Sequence, residues 1–182
     1  MGMFDFFKSQ RERIDPLADL VVAKLRPGYI VDYDMESWEV TSYAVYDLGD
    51  GYEIEEWGLR SGTRTRYLER YEDDEVELCL SEKVPIGAIE GDIRGHIKEH
   101  DDPPAQIVYK GKTYFEDETD SGHYFKDGKP PGTPFISWTY IDEEDESFVA
   151  IEQWGENEFE AAAGIYVEEY QFSNILPGST TS

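Results

Sequence analysis

Apolar and polar residues alternate one by one along most of this chain, which is the pattern of a β-strand with one buried face. Two of the alternating runs share a pattern of apolar, acidic, polar, Trp and Gly: residues 54–58 (Ile-Glu-Glu-Trp-Gly) and residues 151–155 (Ile-Glu-Gln-Trp-Gly). We interpret the two runs as the same strand in two copies of one β unit. The chain is therefore expected to be β-rich and internally repeated.

Turn-forming residues divide the first half into short strands, at the spacing of a meander of antiparallel hairpins. The predicted strands cover residues 29–33, 38–47, 51–60, 63–69 and 76–80. The pattern restarts in the second half, where the predicted strands cover residues 106–109, 114–116, 135–141, 148–155, 159–164 and 165–175. Residues 117–134 are rich in Gly, Pro and Asp, and we interpret them as an insertion.

The predicted fold is mainly β, with two pseudo-repeated antiparallel β-meander units that form a barrel or a sandwich, and with one N-terminal helix. Asp15 and Pro16 predict the start of that helix, and Pro27 and Gly28 predict its end. The predicted divisions are an apolar segment and helix over 1–26, a first repeat over 27–82, a linker over 83–104, a second repeat over 105–177 and a tail over 178–182. Residues 27–177 are expected to form one compact body.

Charge restricts the partners of the chain. Its 41 Asp and Glu residues against 16 Lys and Arg residues give a formal net charge of −25. Nucleic acids are poor partners for such a surface, because binding to their phosphates depends on Lys and Arg. The favoured explanation is a solvated acidic surface, and the alternative is a ligand or partner of opposite charge, either divalent cations or a protein with a basic surface.

Cysteine usage and hydropathy favour a cytoplasmic protein. The lone Cys79 excludes an intrachain disulfide, and its place in an alternating run predicts a small buried apolar side chain. The sequence has neither the pattern of a signal peptide nor an apolar run approaching the ~18 residues of a membrane-spanning helix.

The first seven residues form an apolar cluster that is followed by charged residues. One interpretation is weak contact with a membrane surface through the apolar side chains of Met1, Met3, Phe4, Phe6 and Phe7. The favoured alternative is docking on the core of the protein itself or on a partner subunit, because an anionic membrane would repel the acidic remainder of the chain.

Motifs for catalysis, cofactors or metal ions are weak. His96 and His100 would share one face of a helix, but a third zinc ligand is unassigned. The acidic runs at 72–75 and 142–146 lack the spacing and the glycine of a calcium loop. No Gly-x-Ser-x-Gly turn is present, and Cys79 has no neighbouring His in the sequence. We therefore predict no catalytic residue, no cofactor and no metal site.

Aromatic side chains on the predicted strands are the remaining candidates for ligand contact. Aromatic residues at alternating positions belong more often to a core than to a groove, so the core interpretation is favoured. The candidate contact residues are Trp57, Trp154, Trp138 and Tyr67.

Several short stretches carry a resemblance to a known family. They include Leu25-Arg26-Pro27-Gly28-Tyr29-Ile30-Val31, Trp38-Glu39-Val40, Arg66-Tyr67-Leu68-Glu69, Ile107-Val108-Tyr109-Lys110-Gly111-Lys112-Thr113-Tyr114 and Ala150-Ile151-Glu152-Gln153-Trp154. With these stretches the chain resembles, over roughly residues 25–177, the bacterial family called domain of unknown function 4178. The resemblance implies a β-rich module found near membrane-stress proteins of the phage-shock-protein A kind, and it transfers no catalytic residue.

Two functional hypotheses follow. The favoured one is a non-enzymatic binding or adaptor protein, which that resemblance links to membrane-stress systems and whose natural partner is a basic protein surface. The alternative is a small-ligand-binding protein or a hydrolytic enzyme with its site between the repeats. A cavity lined by Trp57 or Trp154, together with a carboxyl group of raised pKa, would favour the alternative, whereas a filled interior would favour the adaptor.

Overall fold

The structure is a computed structural model that describes residues 20–178. Eleven antiparallel strands dominate the described chain, so the prediction of a mainly β fold is confirmed. Short 3₁₀ turns lie at Val22–Lys24, Ile86–Ala88 and Glu169–Gln171, and helix α1 spans Ile93–His100. The strands are β1 (Ile30–Tyr33), β2 (Glu36–Gly49), β3 (Tyr52–Ser61), β4 (Arg64–Glu72), β5 (Val76–Val84), β6 (Gln106–Tyr109), β7 (Lys112–Lys126), β8 (Thr133–Ile141), β9 (Ser147–Gly155), β10 (Glu158–Val167) and β11 (Phe172–Leu176).

Eight of these strands close into a barrel. The hydrogen-bonded order is β2-β3-β4-β5-β10-β9-β8-β7, and β7 pairs again with β2 where Ala44 faces Lys126 and Asp47 faces His123. Strands β1 and β11 extend the sheet beyond one part of β2, and β6 extends it beyond β7. The barrel alternative of the predicted fold is therefore confirmed.

The two Trp-Gly motifs do not lie on corresponding strands. Each half of the chain supplies a five-strand meander, β1 to β5 and β6 to β10, but Trp57 lies on the third strand of its meander and Trp154 on the fourth. The interpretation of these motifs as the same strand is therefore wrong. Because successive side chains of a strand point to opposite faces, the two motifs also face opposite ways: Trp57 packs in a core outside the barrel wall, and Trp154 packs on the lumen side.

Two further predictions need correction. Residues 117–134 are not an insertion, because β7 continues through them to Lys126. The described end of the predicted N-terminal helix contains only the 3₁₀ turn Val22–Lys24, whereas Asp15, Pro16 and the apolar cluster at residues 1–7 lie outside the described residues.

The α-helix of the described chain lies instead in the predicted linker. The side chain of Asp92 caps the first turn of α1 by accepting a hydrogen bond from the Gly95 N–H at 3.0 Å, and Asp101 ends the helix in the left-handed conformation. None of the helical segments within residues 20–178 is long and apolar enough to cross a membrane.

Apolar side chains form two cores on the outer face of the barrel wall. In the first core, the N-terminal turn, β1 and β11 cover the outer faces of β2 to β5, and the Trp57 indole N–H donates to the Leu25 carbonyl at 3.1 Å. In the second core, the linker, α1 and β6 cover the outer faces of β7 to β10, and the Trp138 indole N–H donates to Asp102 Oδ1 at 2.8 Å. The apolar positions of most strands are thus used outside the barrel, and the alternate positions face its lumen.

The β1–β2 hairpin generates a first prediction. Its two turn residues, Asp34 and Met35, have φ angles of 51° and 59°, and the Met35 side chain is fully exposed. The corresponding β6–β7 turn has Lys110 and Gly111 with φ angles of 49° and 75°. Replacement Met35→Gly should raise the free energy of unfolding by about 1 kcal/mol, because a left-handed conformation disfavours residues with a Cβ atom. Urea unfolding measures this effect.

The matched control is Met35→Val, since a β-branched residue suits the left-handed region even less than Met. It should lower the free energy of unfolding. A Met35→Gly variant that is less stable than the original chain would contradict the assignment of this turn.

Candidate functional site: the barrel lumen

The barrel encloses a cavity of about 980 Å³ that is lined by residues from all eight of its strands. Its wall combines carboxyl groups with aromatic rings and small residues. The acidic lining residues are Glu69, Glu77, Asp117, Glu118, Asp120, Asp145 and Glu152, and the aromatic ones are Tyr46, Tyr52, Tyr71, Phe135, Phe148 and Tyr166. Two alanines, Ala150 and Ala162, face each other across β9 and β10 and leave room at that part of the wall.

Strand register brings three polar side chains side by side. Glu56 on β3 pairs with Glu69 on β4, and Glu69 pairs with Cys79 on β5. Cross-strand partners lie on the same face of a sheet with their Cβ atoms about 5 Å apart. The next pairing places Tyr166 of β10 beside Cys79. These residues form one polar row across the inner wall.

Hydrogen bonds in this row are few. The Tyr46 hydroxyl donates to Glu56 Oε2 at 3.1 Å, and the Cys79 thiol donates to Glu69 Oε2 at 3.5 Å. Ser81 lies two residues beyond Cys79, lines the cavity and is only 4% exposed. Among the described residues, no group hydrogen-bonds to its hydroxyl. Its oxygen is not one of the described polar atoms that are both sealed from solvent and unpaired, so it faces the cavity and is available to a ligand.

Burial and mutual repulsion raise the pKa of three carboxyl groups. Burial is the largest cause for each, followed by the charge of another carboxylate: Glu69 for Glu56, Glu152 for Glu69, and Glu56 for Glu152. The pKa of Glu56 rises to about 8, and those of Glu69 and Glu152 rise to about 7. Lys83 opposes the shift at Glu56 and Glu152 but does not overcome it. We therefore expect these three carboxyl groups to titrate near neutral pH.

Cys79 is not the buried apolar side chain that the sequence pattern predicted. Its neighbours Leu78 and Leu80 belong to the outer core, while Cys79 itself faces the carboxyl groups of the lumen. Burial, and then the charge of Glu69, raise the pKa of the thiol well above its usual value. The thiol stays protonated at neutral pH and is a poor nucleophile.

Four aromatic rings pack together at one part of the lumen. The ring centroids of Tyr46 and Phe135 are 5.1 Å apart, those of Phe135 and Trp154 5.6 Å, and those of Tyr124 and Trp154 5.5 Å. Tyr46 and Phe135 line the cavity, and the other two rings support them. The Trp154 indole N–H is close enough to lower the pKa of Glu152, although no hydrogen bond of normal geometry joins the two groups.

The structure separates the four candidate contact residues. Trp57 and Trp138 are buried in the two outer cores, so neither reaches the cavity. Trp154 supports the aromatic part of the lumen, and Tyr67 is half-buried with the Lys83 ammonium 5.6 Å from its ring centroid. Lys83 also forms an ion pair with Glu160. Tyr67 is the cross-strand partner of Ser81, so Tyr67 and Trp154 both lie on the lumen face, although neither is among the residues that line the cavity.

Other sequence candidates lie outside the lumen. His96 and His100 are both on α1, with ring centroids 4.4 Å apart, and His96 Nδ1 lies 2.8 Å from the Asp102 carbonyl oxygen. Within residues 20–178, no group of three or more His, Cys, Asp and Glu side chains is placed to hold a metal ion. Asp142, in the second acidic run, is a buried structural residue. Burial alone would raise its pKa, but hydrogen bonds from Lys112, Ser147 and the Glu146 N–H outweigh burial and lower it.

The raised pKa values generate a prediction about stability. A carboxyl group with an ordinary pKa near 4.5 in the unfolded chain and about 7 to 8 in the folded chain binds more protons when folded. Its contribution to stability is fully present below the unfolded pKa and is lost as the pH rises through the folded pKa. The free energy of unfolding should therefore fall between about pH 5 and pH 8.

Urea unfolding across this pH range measures the slope. A variant with Glu56, Glu69 and Glu152 replaced by Gln should show a clearly flatter dependence. The matched control replaces three exposed residues, Glu75, Glu143 and Glu156, by Gln, and so makes the same change in net charge. Equal slopes in the two variants would mean that general repulsion, and not the lumen, causes the dependence.

Comparison with known proteins identifies a family. The family model described as domain of unknown function (DUF4178) matches residues 26–169. A relative from Aquifex aeolicus (strain VF5), described as an uncharacterized protein, is 30% identical over 172 residues, which cover 94% of each chain. No solved structure matches the chain. The family match spans most of the barrel, which confirms the resemblance noted in the sequence: the chain belongs to the DUF4178 family.

Proposed function

We propose that the protein binds a small organic ligand in the lumen of its barrel. The observation that carries this proposal is the cavity of about 980 Å³, formed between eight strands and lined by carboxyl groups, tyrosine rings and the Ser81 hydroxyl. Ligand cavities in proteins usually measure about 300 to 1,000 Å³, and an eight-stranded barrel can hold one small ligand. The proposal develops the alternative hypothesis, whose criterion was a cavity lined by Trp57 or Trp154 together with a carboxyl group of raised pKa. Carboxyl groups of raised pKa are present, whereas Trp57 lies in an outer core and Trp154 lies behind the lining rings.

The placement of the two cores explains how the barrel can be hollow. Trp57, Leu59 and Leu68 pack outside one part of the wall, and Tyr140, Val149 and Ile151 pack outside another. Burial of such side chains stabilises a fold by about 1.5 to 3 kcal/mol each. The interior is not needed as a core, so it is available for a ligand.

Several features support binding rather than hydrolysis. The raised pKa of the Cys79 thiol keeps it protonated, and hydrolysis through a covalent intermediate needs an activated nucleophile. Glu56 and Glu69 are paired with Tyr46 and Cys79 by hydrogen bonds, and neither is hydrogen-bonded to a serine or threonine hydroxyl among the described residues. The adaptor hypothesis, with a basic protein as partner, stays a prediction from net charge.

Filling the cavity tests the proposal. The variants Ala150→Phe and Ala162→Phe each place a ring in the lumen, and Ile136→Phe on the exposed outer side of β8 is the matched control. We would screen a library of neutral, cationic and anionic small molecules for an increase in melting temperature, because a ligand that binds only the folded state stabilises it.

The expected result is that some compounds stabilise the original chain and the Ile136→Phe control but fail to stabilise either lumen variant. Circular dichroism and the melting temperature without ligand show whether each variant still folds. Compounds that stabilise all four proteins equally would place their site elsewhere and overturn the proposal. A screen in which no compound stabilises the original chain would also count against it.

A further inference from the structure

The charge of the cavity wall restricts the class of ligand. Among the described residues that line the cavity there is no Lys, Arg or His, whereas seven carry carboxyl groups. A concave surface lined by one sign of charge concentrates ions of the opposite sign and repels ions of its own sign. The lumen therefore favours cations and excludes anions.

The acidic groups of the cavity wall differ in exposure. Glu69, Asp120 and Glu152 are half-buried, whereas the other four, Glu77, Asp117, Glu118 and Asp145, are exposed. Glu77, Cys79 and Ser81 occupy alternate positions of β5 on the cavity wall, so Glu77 and Ser81 lie about 13 Å apart along the strand. The described residues include no cluster of His, Cys, Asp and Glu side chains suited to a single metal ion. A ligand that neutralises several of these carboxyl groups must itself be extended.

Ser81 is an independent indication that a polar ligand group belongs in the cavity. The side chain is 4% exposed, it lines the cavity, and no group within residues 20–178 hydrogen-bonds to it. Its oxygen is not one of the described polar atoms that are both sealed from solvent and unpaired, so it is open to the space of the cavity. A ligand with N–H donors would restore a hydrogen bond to this oxygen.

Aromatic side chains supply complementary surface for the apolar part of a cation. The rings of Tyr46, Tyr52, Tyr71 and Tyr166 line the same cavity as the carboxyl groups. Aromatic faces attract ammonium groups electrostatically and also pack against methylene groups. The wall can therefore contact both the charged and the apolar parts of one ligand.

We propose that the lumen binds an extended organic cation that carries two or more amine groups. The inference rests on the proposed function. The amine groups donate to Glu69, Glu152 and the Ser81 hydroxyl, and the chain between them lies against the tyrosine rings. Repulsion between Glu56, Glu69 and Glu152 raises the pKa of each group in the free protein. The positive charge of the ligand offsets this repulsion.

Protons should leave the lumen when the cation enters. The groups that face the three carboxyls, and that set their protonation in the free protein, are Tyr46 on β2, Cys79 and Lys83 on β5, Trp154 on β9 and Glu160 on β10. Lys83 is the basic member of this set, and it is already paired with Glu160. An added cation lowers the pKa of Glu56, Glu69 and Glu152, so they release protons near neutral pH.

Isothermal titration calorimetry with 1,8-diaminooctane tests the inference at physiological salt. Octane-1,8-diol is the neutral probe of the same length, octanedioate is the anionic probe, and Ca²⁺ is the inorganic cation. We expect saturable binding of the diamine, binding of the diol at least about tenfold weaker, and no binding of the dianion. Titration in two buffers of different ionisation enthalpy should show proton release at pH 7.5.

Variants distinguish diamine binding in the lumen from diamine binding on the acidic outer surface. Glu69→Gln and Glu152→Gln should each weaken diamine binding about tenfold, since each removes one charge-assisted hydrogen bond. Glu143→Gln, an exposed change of the same charge, should leave it unchanged, and Ala162→Phe should abolish it with no change in net charge. Diamine binding that survives Ala162→Phe would overturn the inference.

The outcomes also distinguish this inference from the proposed function. If the diol binds as tightly as the diamine and Ala162→Phe abolishes both, the lumen binds ligands but the cationic class is wrong. If Ca²⁺ binds in the lumen and the diamine does not, the ligand is an inorganic ion and the inference fails. Absence of diamine binding overturns the inference in every case, while the compound screen still decides the proposed function.

Discussion

Burial of the apolar strand positions outside the barrel wall is the constraint on which the rest of the structure depends. A strand has two faces, and in β3 the outward face carries Trp57 and Leu59 while Glu56 points into the lumen. Each outer face is covered by a different part of the chain, and these covers remove the apolar surface from water. The stabilisation from these outer cores therefore offsets the free-energy cost of desolvating carboxyl groups inside the barrel.

The lumen has the features expected of a site and not those of a core. Three carboxyl groups repel one another there, and Ser81 has no partner among the described residues. Replacement of such groups by apolar residues is commonly neutral or stabilising, so their presence has a cost to the fold alone. Perturbed carboxyl groups of this kind concentrate at functional sites. A ligand that carries positively charged N–H groups would weaken the repulsion between the carboxyl groups and would donate a hydrogen bond to Ser81.

Sequence patterns predicted the strands well and the site poorly. The period of two predicted part of every strand, although only residues 114–116 of β7 (Lys112–Lys126), because alternation reflects one buried face. It could not say which face is the lumen. The motif around Trp154 therefore looked equivalent to that around Trp57, although a shift of one residue reverses the face. Glu56 and Glu152 were hidden among 41 acidic residues, and only strand register brings Glu56 beside Glu69. Asp92 is a residue type that favours the start of a helix, but Gly91 and Gly95 beside it disfavour a helix, so the sequence did not predict α1.

The most direct test of an open, acidic lumen uses its single native thiol. Cys79 should react with a cationic methanethiosulfonate, the trimethylammonium-ethyl reagent, and resist the anionic sulfonato-ethyl reagent. The raised pKa of the thiol slows its reaction with both reagents alike, so the rate of each reagent is divided by its rate with the urea-unfolded chain. We expect this ratio to be at least about tenfold higher for the cationic reagent than for the anionic one, and high salt to reduce the difference. Equal ratios for the two reagents, or a higher ratio for the anionic one, would contradict the account.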